Sequence, residues 1–253
     1  MGKIISFANQ KGGVGKTTTA VNIAASLGVL GYKVLLIDLD PQGNATSGVG
    51  IIKRNLKASV FELLTTDASA DSVTIRTPFD NLWVIPANTG LVRADPALAE
   101  IEGGELIMKN KLEAVRDAYD YIIVDCPPSL SMLTVNAMTA SDGVVIPMQS
   151  EFFALEGLSQ LMITISRIKT YYNKELNVTG ILITMHNNRL LHSSQVIREL
   201  RKHYADKLFE TTISRNVKLS EAPSFGVPVY YHEKRSKGAT EYMNVAKELA
   251  ERI

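Results

Sequence analysis

A glycine-rich stretch near the start of the chain, NQKGGVGKTT over residues 9–18, limits the possible folds more than any other feature. It follows the apolar run KIISFA (3–8), which predicts a short strand, and it leads into helical spacing over 16–30. Strand, glycine-rich turn and helix in this order predict a phosphate-binding loop at the positive end of a helix dipole. The usual spacing G-x-x-x-x-G-K-[ST] requires a glycine at position 10, where this chain has Gln10 followed by an additional lysine, Lys11.

The residue types in this loop suit the triphosphate and the metal ion of a nucleotide. Glycines without a Cβ let backbone N–H groups turn toward an anion. We expect Lys16 to contact the β- and γ-phosphates and the Thr17 hydroxyl to bind Mg²⁺. The dinucleotide fingerprint G-x-G-x-x-G is absent, so we expect ATP rather than a dinucleotide. The predicted ATP-binding stretch comprises Lys11, Gly12, Gly13, Val14, Gly15, Lys16, Thr17 and Thr18.

Strand and helix patterns alternate along the chain. Apolar runs that predict strands lie at 3–8, 33–40, 81–87, 121–127, 143–149 and 178–186. Helical spacing occurs at 16–30, 90–102, 104–118, 129–140, 154–172 and 190–204. This alternation predicts an α/β fold, a mostly parallel twisted sheet with helices on both faces. Because the sequence has no linker-like segment or repeat, we expect one domain over 1–253, with the irregular residues 42–80 at one edge.

Composition excludes several classes of protein. The net charge is +1, from 27 basic and 26 acidic residues, so only a local patch could bind nucleic acid or a membrane surface. The single cysteine, Cys126, cannot form an internal disulfide and fits a reducing compartment. No stretch approaches the roughly 18 apolar residues of a membrane-spanning helix. We therefore expect a cytoplasmic protein.

Three aspartates end two of the predicted strands. Asp38 and Asp40 close the second strand in LLIDLDPQGNAT, and Asp125 closes the run YDYIIVDCPPS. The carboxyl ends of parallel strands are where ligands bind in open α/β sheets. An apolar strand that ends in Asp is typical of a carboxylate that holds Mg²⁺ directly or through water. We expect all three side chains at the phosphate site.

The additional lysine has two possible roles. Lys11 could fold back onto the phosphates bound by its own chain. Alternatively, it could reach across a symmetric interface to the nucleotide of a second copy, which would couple ATP binding to dimerisation. Spacing alone leaves both roles open.

The segment K-G-G-V-G-K-T-T resembles the deviant Walker A loop of the ParA/MinD class of P-loop ATPases, and D-L-D-P-Q-G-N resembles the switch segment of that class. The resemblance implies a P-loop NTPase fold in which Lys11 contacts the ATP of the opposite protomer. It also implies that Asp40 orients or activates the attacking water and that Asp38 supports the metal. The implied catalytic residues are Lys11, Lys16 and Asp40, and the implied Mg²⁺ residues are Thr17, Asp38 and Asp125.

A third segment, TISRNVKLSEAPSFGVPV (212–229), resembles the part of the family that approaches adenine, which implies that Asn216 contacts the base. Ser214 stands where the family usually has proline, and Lys218 stands where arginine is frequent. In the chromosome-partitioning branch, basic residues at matching positions bind nonspecific DNA once ATP has closed the dimer. The resemblance assigns this role to Arg189 and Lys218.

Three absences distinguish the branches of the class. The C-terminal segment ATEYMNVAKELAERI carries mixed charges rather than the basic amphipathic pattern of a membrane-binding helix. A nitrogenase-reductase relative would need two cysteines for an iron–sulfur cluster across the dimer, and this chain has one. Larger plasmid ParA proteins carry an N-terminal DNA-reading domain, whereas here the first strand is expected from residue 3. The short ParA/Soj type remains. It implies an ATP-dependent homodimer, nonspecific double-stranded DNA and a ParB/Spo0J-like partner at centromere-like sites, with no membrane partner and a nucleoid-associated location.

Two alternatives remain open at this stage. One is a MinD-like membrane-associated positioning ATPase. The other is an ATP-gated DNA-binding regulator with negligible turnover.

Overall fold

A computed structural model describes residues 1–151, 154–187 and 191–253. Within them, seven strands form one sheet in the order β3-β4-β2-β5-β1-β6-β7. The short edge strand β3 runs antiparallel to β4, and the other neighbouring strands are parallel. The strands are β1 (Lys3–Phe7), β2 (Val34–Asp38), β3 (Ile75–Arg76), β4 (Leu82–Ile85), β5 (Tyr121–Asp125), β6 (Gly143–Gln149) and β7 (Asn177–Thr184).

Helices cover both faces of this sheet. They are α1 (Lys16–Val29), α2 (Asn44–Gly48), α3 (Val60–Thr65), α4 (Ala70–Val73), α5 (Ala94–Glu100), α6 (Ile107–Glu113), α7 (Met132–Ala140), α8 (Ala154–Tyr171), α9 (Leu191–Tyr204), α10 (Val217–Glu221), α11 (Val229–His232) and α12 (Lys237–Arg252). Short 3₁₀ turns occupy Lys53–Asn55, Thr89–Arg93, Gly104–Leu106, Arg116–Ala118 and Ala222–Phe225.

The core has two halves because the central strands are apolar on both sides. All residues of β2 and β5 are buried, as parallel strands covered by helices require. In one apolar cluster, α1, α11 and α12 pack on one face of the sheet. In the other cluster, α3 and the helices from α5 through α9 pack on the opposite face. The predicted α/β class, with a mostly parallel sheet covered on both faces, is confirmed.

Several predicted helices are shorter in the structure than expected. The helix expected over 104–118 is α6 flanked by 3₁₀ turns, and the one expected over 90–102 starts as a 3₁₀ turn before α5. Gly103, with a φ of 73°, separates these two segments in the left-handed region that favours glycine. Of residues 42–80, β3 forms one edge of the sheet, whereas α2 packs against α1 and the central strand β2. The range also contains α3 and α4, so it is less irregular than expected.

The last helix packs its apolar stripe onto the first. Tyr242, Val245 and Leu249 of α12 are buried in the cluster that contains α1. The Tyr242 hydroxyl lies 3.1 Å from that of Thr19. This packing uses the apolar face of α12 inside the fold. Among the described residues, no helix combines the length and apolarity needed to cross a bilayer.

Glycine-to-alanine changes in two helices should have opposite effects on stability. A Cβ at Gly28 in α1 would lie 2.1 Å from the backbone oxygen of Asp80, whereas a Cβ at Gly157 in α8 meets nothing within 4 Å. We expect Gly28→Ala to lower the free energy of unfolding by about 1–3 kcal/mol because of this overlap. Gly157→Ala should raise it by about 0.5–1 kcal/mol, the usual gain from replacing a helical glycine.

Denaturant unfolding of the nucleotide-free protein measures both changes. If Gly28→Ala were as stable as Gly157→Ala, the close packing of α1 against the turn before β4 would be wrong.

Candidate nucleotide-binding site

The glycine-rich loop connects the carboxyl end of β1 to the start of α1. Gly13 and Gly15 have φ values of 73° and 84°, in the left-handed region that side chains with a Cβ rarely adopt. A Cβ at Gly12 or Gly13 would meet no atom within 4 Å, so the loop borders open space on that side. The N-terminus of α1 follows at once, with its dipole directed to the same place. This geometry suits a bound phosphate chain.

Neighbouring strand ends fix the conformation of the loop. The Thr184 hydroxyl, at the end of β7, donates to the backbone oxygen of Val14 at 2.7 Å. Asn9 donates through its side-chain amide to the oxygen of Pro147 at 2.8 Å and accepts from the backbone N–H of Lys11 at 3.0 Å. The loop is therefore held in its phosphate-ready shape by the protein alone.

The two lysines of the loop point to different surroundings. Lys16 is 7% exposed, and its Nζ donates to the backbone oxygen of Lys11 at 3.2 Å. Burial lowers the pKa of Lys16, while nearby charges, above all that of Asp125, act to raise it. The Lys11 side chain is 41% exposed and forms an ion pair with Glu151, which follows β6. Lys16 thus faces the loop interior and Lys11 faces outward.

Asp38 and Asp125 stand side by side at the centre of the sheet. They are paired in register between β2 and β5, and both are fully buried. Asp38 accepts from the backbone N–H and the hydroxyl of Thr46, each at 2.7 Å, and from the backbone N–H of Asp40 at 3.2 Å. Burial raises the pKa of Asp38 to about 6, although the bonds from Thr46 favour the ionised form. Asp38 therefore holds the segment after β2 in place.

The Asp125 carboxylate differs because neither oxygen makes a hydrogen bond of normal geometry to the described residues, although the Thr17 hydroxyl is close by. Burial, followed by the charge of Asp38, raises the pKa of Asp125 well above its usual range, and the Thr17 hydroxyl acts in the opposite direction. A buried carboxylate left unpaired is costly, and a cation would relieve the cost.

These donors fit the predicted Mg²⁺. No group of three or more His, Cys, Asp or Glu side chains able to hold a metal occurs in the described part of the chain. Mg²⁺ does not need one, since it commonly takes one or two carboxylates together with phosphate oxygens and water. Thr17 and Asp125 would hold the ion, with Asp38 on the adjacent strand. Both oxygens of Asp38 already accept hydrogen bonds in this structure. A direct bond from Asp38 to Mg²⁺ therefore stays a prediction.

Asp40 occupies the open side of the loop. It is half-buried, and its carboxylate accepts from the backbone N–H of Gln42 at 2.9 Å. Together with Lys16, Thr17 and Pro128 it lines a cleft of about 410 Å³. The structure thus places Asp40 beside the residues that are predicted to bind phosphate, as a water-orienting carboxylate requires.

A second cavity of about 430 Å³ adjoins the loop and suits a nucleotide base. Its lining includes Thr18, Met185 and Asn216. The side-chain oxygen of Asn216 caps α10 by accepting from the backbone N–H of Lys218 at 2.8 Å, so its amide nitrogen remains available to a base. The role of Asn216 stays a prediction.

Ser214, at the position where the family usually has proline, uses groups that proline lacks. Its backbone N–H and hydroxyl bond to the two carboxylate oxygens of Glu241 at 2.9 and 2.5 Å. The departure therefore ties the base pocket to α12.

The predicted DNA-binding residues are only partly described. Arg189 lies outside the described residues. Lys218 lies on α10 and forms an ion pair with Glu221 at 2.8 Å. Other basic residues lie on α9, such as Arg198 and Arg201, and near α10 to α12, such as Arg215 and Lys234. These elements pack on opposite faces of the sheet.

Three residues of the site escaped the sequence analysis. Thr46 secures Asp38, Thr184 secures the loop and Glu151 pairs with Lys11. Thr46 ends the quoted stretch LLIDLDPQGNAT, two residues after the switch segment, so its proximity in sequence to Asp38 was a usable signal. Thr184 and Glu151 are more than 130 residues from their partners, and no local pattern indicates them.

Comparison with known proteins places this geometry in context. A family model described as "AAA domain" matches residues 2–178. The chain is 51% identical to the sporulation initiation inhibitor protein Soj of Bacillus subtilis over 250 residues, which is 99% of each chain. It is 43% identical to the chromosome partitioning protein ParA of Caulobacter vibrioides, with 99% of this chain and 94% of the relative covered.

Solved structures share the fold. Cobyrinic acid a,c-diamide synthase from Mycobacterium smegmatis, with bound ATP analog and magnesium, superposes with a TM-score of 0.87 at 34% identity, covering 99% of this chain and 95% of that one. The septum site-determining protein MinD from Pyrococcus horikoshii, complexed with Mg-ADP, gives a TM-score of 0.80 at 22% identity, with coverage of 98% and 96%. At that identity the second likeness concerns the fold alone.

Replacing the unpaired carboxylate should stabilise the empty protein and impair the site. We expect Asp125→Asn to raise the melting temperature of the nucleotide-free chain at neutral pH by about 2–4 °C. Burial raises the pKa of Asp125, so above the pKa of the unfolded chain this carboxyl destabilises the fold, and the substitution removes that cost. ATP should stabilise the native protein more strongly when Mg²⁺ is present, and Asp125→Asn should abolish this additional stabilisation. Thermal melts with ATP in the presence and absence of Mg²⁺ measure both effects.

Asp142→Asn is the matched control. Asp142 is paired with Arg116 at 2.6 Å and lies before β6, at the opposite end of the strands. Its substitution should lower the melting temperature and leave the Mg²⁺ effect intact. A nucleotide-free Asp125→Asn chain less stable than the native one would contradict the account of Asp125.

Proposed function

The chain belongs to the ParA/Soj family of chromosome-partitioning ATPases, and on that premise we propose that it is a Mg²⁺- and ATP-dependent dimerising ATPase that binds nonspecific DNA. Two copies enclose two ATP molecules, the closed dimer binds DNA, and hydrolysis releases it. A ParB/Spo0J-like protein at centromere-like sites accelerates hydrolysis and so drives chromosome or plasmid partitioning. The protein acts in the cytoplasm, on the nucleoid.

The divergence of the two lysines carries this proposal. Lys16 is buried in the loop, where it serves the phosphates bound by its own chain. Lys11 starts from the same loop, but its ammonium points outward to Glu151 and is substantially exposed. A second copy can therefore offer its triphosphate to Lys11, and the Lys11–Glu151 pair is what that triphosphate replaces. This favours the role in trans over the role in cis.

In this proposal, the carboxylates beside the loop position the groups that take part in hydrolysis. Mg²⁺, when bound, neutralises phosphate charge and orients the triphosphate. Asp40 lies on the open side of the cleft, where its carboxylate accepts a hydrogen bond from the attacking water and aligns it. Asp38 keeps the Asp40 segment in position through Thr46 and the Asp40 backbone. Lys16 and Lys11 stabilise the charge that accumulates on the transferred phosphate.

The packing of α12 disfavours a MinD-like membrane role for that helix, since its apolar face is already buried against α1. The regulator with negligible turnover differs from the proposal only in rate. ATP turnover measured with DNA and a ParB-like protein separates the two, and flotation with liposomes and ATP tests the membrane alternative.

Removing the outward lysine should separate ATP binding from dimerisation. We expect Lys11→Ala to bind ATP but to weaken the ATP-dependent dimer by about 30-fold or more, because each triphosphate loses a charge partner from the other chain. Lys16→Ala should lose ATP binding itself. Light-scattering mass measurements with ATP, with ADP and without nucleotide give the result.

Glu151→Gln is the matched variant for Lys11→Ala. It keeps the cation and removes its partner within the chain, so it should dimerise with ATP at least as tightly as the native protein. If Lys11→Ala dimerises like the native chain, the role in trans is wrong.

The Asp40 carboxylate should be needed for hydrolysis but not for binding. We expect Asp40→Ala to bind ATP, form dimers and accumulate on DNA, with turnover lowered by about a hundredfold or more. Phosphate release and DNA retention after ATP dilution measure the two sides of this prediction. Native turnover in Asp40→Ala would remove this carboxylate from the mechanism.

A further inference from the structure

The short helix α10 presents its basic residue already neutralised. Lys218 and Glu221 are one helical turn apart, and their charged groups meet at 2.8 Å. Both side chains are exposed, at 44% and 41%. Glu221 raises the pKa of Lys218 and Lys218 lowers that of Glu221. The lysine with the predicted DNA contact is therefore not a free cation on this surface.

Glu221 has a second partner on another element. Its Oε2, the same oxygen that meets Lys218, lies 3.3 Å from Nε2 of His232 at the end of α11. The His232 side chain is only 15% exposed, and its ring stacks on that of Phe225, with centroids 5.0 Å apart and planes inclined by 26°. His232 is thus largely enclosed by its neighbours, whereas the Lys218 side chain is exposed.

A phosphate that approaches Lys218 meets the carboxylate at the same time. It must compete with Glu221 for the ammonium, and a carboxylate left beside it repels it. Both effects weaken binding relative to an unpaired lysine.

We propose that Glu221 is an internal competitor for DNA phosphate at Lys218, held in place by His232 so that the lysine can exchange one anion for the other. The proposal rests on the proposed DNA-binding function. On binding, the Lys218 ammonium leaves the carboxylate and pairs with a backbone phosphate, while Glu221 keeps its contact with His232. On release, the carboxylate takes the ammonium back. No covalent bond changes.

This exchange lowers the affinity for DNA of any sequence. A phosphate contact normally contributes affinity without reading bases. A weakened phosphate contact suits a dimer that must leave DNA promptly after hydrolysis. In this proposal, Glu221 sets the strength of the contact between Lys218 and phosphate.

The test is a double-mutant cycle on binding to random-sequence duplex DNA with a non-hydrolysable ATP analogue. We expect Lys218→Gln to weaken binding and Glu221→Gln to tighten it about threefold to fivefold per protomer, the range of an exposed ion pair. Glu221→Gln should also steepen the salt dependence, by about 0.9 in log–log slope for each additional phosphate neutralised. In the Lys218→Gln background, Glu221→Gln should tighten binding clearly less, because only the repulsion between carboxylate and phosphate is then relieved.

Glu102→Gln controls for net charge. Glu102 is exposed and follows α5, which packs on the other face of the sheet. The same charge change there should leave DNA binding unaltered. Melting temperature and ATP-dependent mass confirm that each variant folds and dimerises.

The outcomes separate this proposal from the proposed function. If the native chain shows no ATP-dependent DNA binding, the proposed function fails and the exchange with it. If Lys218→Gln binds less tightly but Glu221→Gln binds like the native chain, only the exchange is overturned. It is also overturned if Glu221→Gln tightens binding equally with and without Lys218, since that is an effect of net charge alone.

Discussion

Two carboxylates buried at the centre of an apolar sheet set the condition on which the site depends. Asp38 and Asp125 face each other in register between β2 and β5, where burial disfavours their charged forms. Thr46 satisfies the first, and nothing in the described part of the chain satisfies the second. Burial thus disfavours the ionised form of Asp125 in the empty fold, and a cation bound beside it would favour that form.

The loop next to these carboxylates separates two cations that are close in sequence. Left-handed glycines and the anchors from Asn9 and Thr184 fix the backbone, so the direction of each lysine follows from its position in the loop. Lys16 is buried and bonded to the loop backbone, whereas Lys11 is exposed and paired with Glu151. This separation of the two cations is what the proposed roles in cis and in trans require.

The segment from Ser214 to Gly226 connects the parts of the site. It lines the base pocket through Asn216, carries Lys218 and Glu221, and meets the segment after β2 at Gly226. A Cβ at Gly226 would lie 3.2 Å from the Cα of Gly50, so the two backbones touch. The segment that lines the predicted base pocket is therefore in direct backbone contact with the turn after α2.

The sequence by itself determined the α/β class, the strand–loop–helix unit and the aspartates at two strand ends, because these follow from local periodicity and from residue types that the loop geometry requires. It left the direction of Lys11 open. Only the tertiary structure decided that Asp38 accepts hydrogen bonds from Thr46. It also decided the two ion pairs, Lys11 with Glu151 and Lys218 with Glu221. Strand order and side-chain direction decide such contacts, and neither leaves a local pattern when the partners come from distant segments.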